Sequence, residues 1–152
     1  MTERTIAIGD VHGCSAALAA LVRAIDPTTL DALVFLGDYI DRGPDSRGVL
    51  EQVIAVAERC SVVPLLGNHE EMLLAALEGQ SELRYWLEFG GAEALASYGY
   101  KGGPELRPAD LRALIPFEQL QFIKGCRDHF ETVRRVVVRA YYEPDRPLHA
   151  QP

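Results

Sequence analysis

Three short apolar segments of this chain share the same ending, and this repetition constrains the possible fold more than any other feature. The segments, residues 5–8, 32–36 and 62–66, are rich in the β-branched and aliphatic side chains typical of buried strands. Each is followed by a glycine, which permits a sharp turn. The next residue in each case carries a side-chain oxygen: Asp10, Asp38 or Asn68. The pattern predicts three strands that deliver oxygen ligands to one place.

Amphipathic helical patterns separate the three strands. The apolar positions are Leu18, Leu21, Val22 and Ile25 in the first pattern, and Val49, Leu50, Val53, Ile54 and Ala57 in the second. Alternating strands and helices predict parallel strands with right-handed crossovers, hence an α/β fold. Helical segments with a break at 90–91 are then expected, followed by a loop at 101–104, a helix at about 116–124, and strands at 130–132 and 136–141. We expect one domain over residues 1–152. Ligands of such folds bind at the carboxyl edge of the sheet.

The composition excludes several classes of function. A net charge of −7 argues against a nucleic-acid-binding surface, which needs clustered Lys and Arg. No apolar run approaches the length that a bilayer requires, and no apolar signal region precedes the first strand. The three cysteines are widely spaced and are expected to be free thiols. We therefore expect a cytoplasmic protein with no membrane partner.

The first strand ending, Asp10-Val11-His12, predicts a metal site. If this segment is extended, Asp10 and His12 face the same side. A carboxylate with an imidazole suits manganese, iron or zinc better than calcium or magnesium. Asp38 could bridge this ion to a second one, and Asn68 could add a neutral oxygen to the second ion. Two such ions can clamp a phosphate and activate a water molecule.

Residues beside these ligands could complete the chemistry of phosphate-ester cleavage. His69 follows Asn68 directly and could give a proton to the leaving group. Asp41 could hold the His69 imidazole in a charged, oriented form. Arg42 could grip phosphate oxygens with its planar guanidinium.

The three motifs that contain these residues are Gly9-Asp-Val-His-Gly13, Gly37-Asp-Tyr-Ile-Asp-Arg-Gly43 and Gly67-Asn-His-Glu70. With them the chain resembles the phosphoprotein phosphatase branch of the calcineurin-like metallophosphoesterases, in particular the bacterial serine/threonine phosphatases. The resemblance implies a two-sheet β-sandwich flanked by helices. It also implies two divalent metal ions, with manganese preferred over iron or zinc. The implied substrate is a phosphorylated protein or a small phosphoester.

The resemblance assigns a role to each matching residue. Asp10, His12 and Asp38 correspond to ligands of the first metal, with Asp38 bridging. Asn68 corresponds to a ligand of the second metal. His69 corresponds to the general acid of the family, Asp41 to the residue that supports it, and Arg42 to the residue that binds the phosphate.

The chain departs from the family pattern near its C-terminus. Arg139 stands where the family has a histidine ligand of the second metal, and arginine has no lone pair to donate. The distal part of the family's second sheet, with a further histidine ligand, is also missing. We therefore expect a weakly held second ion, slow turnover and an exposed sheet edge through which the chain could self-associate. Arg139 could point outward, or its guanidinium could enter the second-metal region and hold a phosphate.

Two other functions compete with a protein phosphatase. A diadenosine tetraphosphatase uses the same three opening motifs, although Glu70 mildly favours the protein phosphatases. A catalytically inactive phosphate-binding protein is favoured by Arg139 and by the short C-terminus. That alternative is opposed by the intact set of Asp10, His12, Asp41, Arg42 and His69.

Overall fold

The computed structural model describes residues 4–103, 105–132, 136–139 and 146. The strands are β1 (Thr5–Ile8), β2 (Ala32–Phe35), β3 (Ser61–Pro64), β4 (His129–Glu131) and β5 (Val136–Val138). The helices are α1 (Ser15–Ile25), α2 (Ser46–Val56), α3 (Asn68–Ala76), α4 (Gln80–Trp86), α5 (Ala92–Ser97), α6 (Pro108–Leu114) and α7 (Phe117–Lys124). A π-helical turn, Leu87–Gly91, joins α4 to α5.

The first three strands form a parallel sheet in the order β1-β2-β3. The register pairs Ile8 with Phe35 and Phe35 with Pro64, so the three strands end side by side. The prediction that their glycine-led endings share one edge is confirmed. Strand β3 begins and ends slightly earlier than predicted, and Leu65 instead forms a single parallel bridge to Arg127.

The two predicted crossover helices are present as α1 and α2. Asp45 caps α2, because its carboxylate accepts a hydrogen bond of 2.9 Å from the backbone N–H of Gly48. The apolar stripe of α2 packs into the core through Val49, Leu50 and Val53, none of which is exposed. The stripe of α1 is less complete, since Leu21 is 43 % exposed.

The parallel sheet is covered on both faces. The helices cover one face and form the larger core with residues such as Leu33, Phe35 and Trp86. The second face presents Val34, Val63 and Leu65, against which Phe130 and Val137 of the antiparallel pair β4–β5 are packed. Two stacked sheets flanked by helices are the predicted metallophosphatase-type architecture, with two strands in the second sheet among the described residues.

The segment after β3 is helical, as predicted, with one helix that the sequence analysis did not identify. Helix α6 begins with Pro108 at its first turn, and Asp110 accepts a hydrogen bond of 3.1 Å from the Arg107 backbone. These are recognisable start signals. The break predicted at 90–91 is a kink, at which Gly90 has a φ of 110°.

Other sequence predictions concern the C-terminal strands and the membrane. The strand predicted at 136–141 is observed over Val136–Val138, and residues 140 and 141 lie outside the described residues. Val136 is 47 % exposed, and self-association through this strand stays a prediction.

Within the described ranges, no helix has the length and apolar character needed to cross a bilayer.

Candidate metal and phosphoester site

The loops that follow β1 and β2 are joined to each other by backbone hydrogen bonds. The N–H groups of Val11 and His12 both donate to the carbonyl of Asp38, at 3.0 and 2.8 Å. Gly43 lies so close to this junction that an added Cβ would stand 1.9 Å from the carbonyl oxygen of His12. Glycine is therefore required at position 43 by close packing.

Four of the predicted site residues have a backbone conformation that is rare for residues other than glycine. The φ angles are 43° for His12, 52° for Asp38, 72° for Asp41 and 64° for Arg42. Such conformations cost about 1–3 kcal/mol each and persist where the surrounding structure enforces them. They cluster at the carboxyl edge of the parallel sheet, which is where functional strain is expected.

Glu70 enforces this conformation, and the sequence analysis assigned it no such role. Its buried carboxylate accepts hydrogen bonds from the backbone N–H groups of Asp38 at 2.8 Å, Tyr39 at 2.9 Å and Gly67 at 3.0 Å. Burial raises the pKa of Glu70 to about 7, while the backbone donors oppose that rise. Glu70 thus joins the ends of β2 and β3. Its place near the start of α3 was the only sequence signal for this role.

His12, Asp38 and His69 converge on one position. They offer one ligand atom each, and these atoms all lie within 4.8 Å of one another. Nδ1 of His12 contacts the carbonyl of Ile40 at 3.0 Å, so Nε2 is the nitrogen that faces the site. Nε2 is 3.8 Å from Oδ2 of Asp38 and 3.3 Å from Nη1 of Arg42, which a bound cation would have to displace. Two imidazoles and a carboxylate suit a transition-metal ion, so these residues fit the divalent cation that the fold family implies.

Asp10 is placed differently from the expectation. It is exposed at the end of β1 and does not belong to the convergent group of described residues. The expectation assumed an extended segment from Asp10 to His12, whereas the φ of His12 is 43°. That turn changes the direction in which the two side chains leave the backbone. The assignment of Asp10 as a metal ligand stays a prediction.

His69 lies in a buried arrangement with Asp41 and Trp86. Nδ1 of His69 is 2.8 Å from Oδ2 of Asp41, and the same oxygen accepts a hydrogen bond of 2.8 Å from Nε1 of Trp86. No role for Trp86 followed from the sequence. With Nδ1 directed at Asp41, only Nε2 of His69 remains for a ligand or a substrate.

Burial dominates the protonation of this pair. It lowers the pKa of His69 and raises the pKa of Asp41 to about 8, although the Trp86 hydrogen bond opposes the second shift. Oδ1 of Asp41 is buried and has no hydrogen-bond partner among the described residues. Asp41 therefore contacts His69 at the expected position, but burial favours the neutral imidazole over the charged form. The role of Asp41 in orienting His69 stays a prediction.

Arg42 and Asn68 lie at the exposed rim of the site. Nη1 of Arg42 is 3.3 Å from Nε2 of His12, and the backbone N–H of Arg42 donates to the carbonyl of Gly90 at 3.2 Å. Asn68 is the first residue of α3, directly after β3 and Gly67. Both residues are thus near the cluster of His12, Asp38 and His69. Their roles as phosphate clamp and metal ligand stay predictions.

Arg139 points into the site. One nitrogen of its guanidinium, Nη2, donates hydrogen bonds to Oδ2 of Asp38 and to Oδ1 of Asn68, the latter at 2.6 Å. Its side chain is only 19 % exposed. The alternative in which Arg139 turns outward from the sheet edge is wrong.

Comparisons with known proteins agree with this architecture. The model of the calcineurin-like phosphoesterase family matches residues 3–137. Symmetrical bis(5'-nucleosyl)-tetraphosphatases from Acidovorax sp. (strain JS42) and Bordetella pertussis are 47 % identical over 73 and 74 residues. Each alignment covers 47 % of this chain but only 25 % and 26 % of the relative. The enzyme of the same name from Burkholderia pseudomallei is 39 % identical over 79 residues, which are 52 % of this chain and 27 % of that protein.

Solved structures show the same fold at low sequence identity. A crystal structure of a provisionally identified diadenosine tetraphosphatase superimposes with a TM-score of 0.66 and 24 % identity, covering 97 % of this chain and 55 % of the other. A mutant cold-active protein tyrosine phosphatase superimposes with a TM-score of 0.56 and 20 % identity, covering 85 % and 41 %.

These relatives bear on the branch within the family. The mild preference for protein phosphatases, which rested on Glu70, is not supported, since the curated relatives carry the name of the dinucleoside enzymes. The match to the family model extends over most of the chain, from the first strand to β5. The chain belongs to the calcineurin-like phosphoesterase family.

Proposed function

We propose that this chain is a metal-dependent hydrolase of dinucleoside tetraphosphates, which are cleaved to nucleoside diphosphates. The observation that carries the proposal is the convergence of His12, Asp38 and His69 within 4.8 Å at the carboxyl edge of the sheet. The substrate class is supported by the 47 % identity to symmetrical bis(5'-nucleosyl)-tetraphosphatases over about half of the chain. A protein phosphatase activity, which the sequence motifs alone favoured, is the less well supported of the two activities.

The side chains of the site divide into three tasks. His12, Asp38 and His69 would hold a divalent cation, for which manganese is our proposal because imidazole and carboxylate occur together. Such a cation, when bound, polarises a phosphate and lowers the pKa of a coordinated water. Arg42 would bind the phosphate oxygens. The buried Asp41 would orient His69.

A comparison of substrates tests the proposal. With excess manganese, the chain is expected to hydrolyse diadenosine tetraphosphate to ADP at least about tenfold faster than a phosphoserine peptide. Asp38→Asn is expected to abolish both reactions, which would show that they occur at this site. Faster turnover of the peptide would contradict the proposal and favour the protein phosphatases.

A catalytically inactive phosphate-binding protein is the second candidate. The observation that favours it is the hydrogen bonding of Arg139 to both Asp38 and Asn68, two of the predicted metal ligands. In that case neither substrate would turn over with excess manganese, while inorganic phosphate would still bind. Isothermal titration with phosphate and the substrate assay together separate the two functions.

A further inference from the structure

The positively charged guanidinium of Arg139 occupies the position between Asp38 and Asn68. The guanidinium nitrogen Nη2 of Arg139 contacts Oδ2 of Asp38 and Oδ1 of Asn68 at once. These are the two oxygens that the sequence analysis assigned to a second metal ion. We infer that the Arg139 guanidinium substitutes for the second cation, so that this chain binds a single divalent cation.

The charges around Asp38 explain why Arg139 is held there. The side chain of Asp38 is only 5 % exposed, and a buried carboxylate needs a compensating positive charge. The guanidinium of Arg139 supplies that positive charge through its hydrogen bond to Oδ2 of Asp38. It has no lone pair, so it takes the place of a cation and cannot become a ligand for one.

The backbone next to Arg139 is fixed by packing. Arg139 directly follows β5, and Val137 of that strand packs against the buried cluster that includes Val34 and Leu65. The antiparallel pairing of β4 with β5 adds a second constraint. A cation that displaced Arg139 would therefore have to break the two hydrogen bonds while the guanidinium remained close, where its charge would repel the incoming ion.

One cation position is left between Asp38 and the two histidines. His12 and His69 converge there with the Asp38 carboxylate, and Nε2 of His12 is 3.8 Å from its Oδ2. The residues of the site thus fit one divalent ion and do not fit a pair. The number of bound cations is expected to be the same whichever phosphate ester is the substrate.

Counting bound manganese tests the inference without measuring activity. The chain is freed of metal, equilibrated with Mn²⁺ by dialysis, and the bound ion is measured by elemental analysis. We expect one Mn²⁺ per chain for the wild type and two for Arg139→His, which replaces the guanidinium with a ligand. Magnetic coupling between the two ions in the electron paramagnetic resonance spectrum is expected only in the variant.

Two further variants complete the experiment. Arg139→Ala removes the charge without adding a ligand and is expected to take up a second Mn²⁺ more weakly than Arg139→His. Arg59→His is the matched control, because Arg59 pairs with Asp26 at 3.3 Å next to the start of β3, at the opposite end of the sheet. It is expected to keep the wild-type count.

Two results would overturn the inference. Two ions in the wild type would show that Arg139 does not exclude the second cation. A count that neither Arg139→His nor Arg139→Ala increases would show that another feature limits the site. Because the alanine variant adds no new side chain, it decides the question if the histidine variant fails to fold.

Discussion

Trp86 and His69 share one oxygen atom of Asp41. The indole Nε1 donates to Oδ2 of Asp41 at 2.8 Å, and Nδ1 of His69 lies at the same distance from that oxygen. All three side chains are almost completely buried. We therefore expect Trp86 to position His69 through Asp41. Trp86 makes this contact from the end of α4, which lies outside the three sequence motifs.

Replacing Trp86 with phenylalanine should therefore change the protonation of the Asp41–His69 pair more than it changes the packing of the core. The Trp86 hydrogen bond lowers the pKa of Asp41, so its loss should raise that pKa further above about 8. Any activity that depends on ionised Asp41 should then shift to higher pH. A hydrogen bond to a charged group contributes about 1.5–3 kcal/mol, which corresponds to a roughly 10- to 100-fold loss of kcat.

The measurement is the pH dependence of kcat with diadenosine tetraphosphate. Tyr85→Phe serves as the control, because Tyr85 is the neighbouring aromatic residue and is 53 % exposed. It is expected to leave the profile unchanged. A Trp86→Phe profile that coincides with that of the wild type would mean that Trp86 has a packing role alone.

Removal of the Glu70 carboxylate should destabilise the protein strongly. Glu70→Ala leaves the buried N–H groups of Asp38, Tyr39 and Gly67 without their acceptor. Each buried group left unpaired costs about 1–3 kcal/mol, so we expect the free energy of unfolding to fall by about 3 kcal/mol or more. Urea denaturation measures this loss. Glu71→Ala, which changes the exposed neighbour on α3, should stay within about 0.5 kcal/mol of the wild type.

A methyl group at position 43 should separate the loops that follow β1 and β2. The Cβ of Gly43→Ala would lie 1.9 Å from the carbonyl oxygen of His12, and the backbone on both sides must move. We expect a loss of about 2 kcal/mol or more in unfolding free energy, together with weaker Mn²⁺ binding. Gly9→Ala is the matched control for stability, because its Cβ would meet nothing within 4 Å. Equal melting temperatures for the two variants would contradict the steric argument.

Acid should weaken the fold through Asp31. The hydrogen bond and ion pair with Arg4, at 2.7 Å, together with the Thr28 backbone N–H, hold the pKa of Asp31 well below its usual range. A carboxyl group whose pKa is lowered by folding stabilises the protein above its unfolded pKa of about 4, and this contribution is lost as the pH falls below that value. Asp31→Asn should therefore lower the melting temperature at pH 7 by a few degrees, with a smaller difference at pH 3. A difference that does not depend on pH would rule out the ionised carboxylate as its cause.

The parallel sheet and the location of the site could be predicted from the sequence. Strand β1 is observed at its predicted bounds, and the shared edge of the three strands follows from their glycine-led endings. These features could be predicted because the periodicity of hydrophobic residues and the positions of turn residues are local properties of the chain. The residue types around the site were equally accessible, since His12, Asp38 and His69 lie a few residues after the strand ends.

Only the tertiary structure decided which contacts those side chains make. Arg139 and Asp38 are 101 residues apart, Trp86 and Asp41 are 45 apart, and Glu70 reaches Asp38 across 32. Whether Arg139 points inward depends on the packing of β5 on the second face of the sheet, and no local pattern encodes that. The sequence by itself determined the fold class and the edge of the sheet at which chemistry occurs. The charges that surround Asp38, and hence the number of cations that the site can bind, depend on residues that only folding brings together.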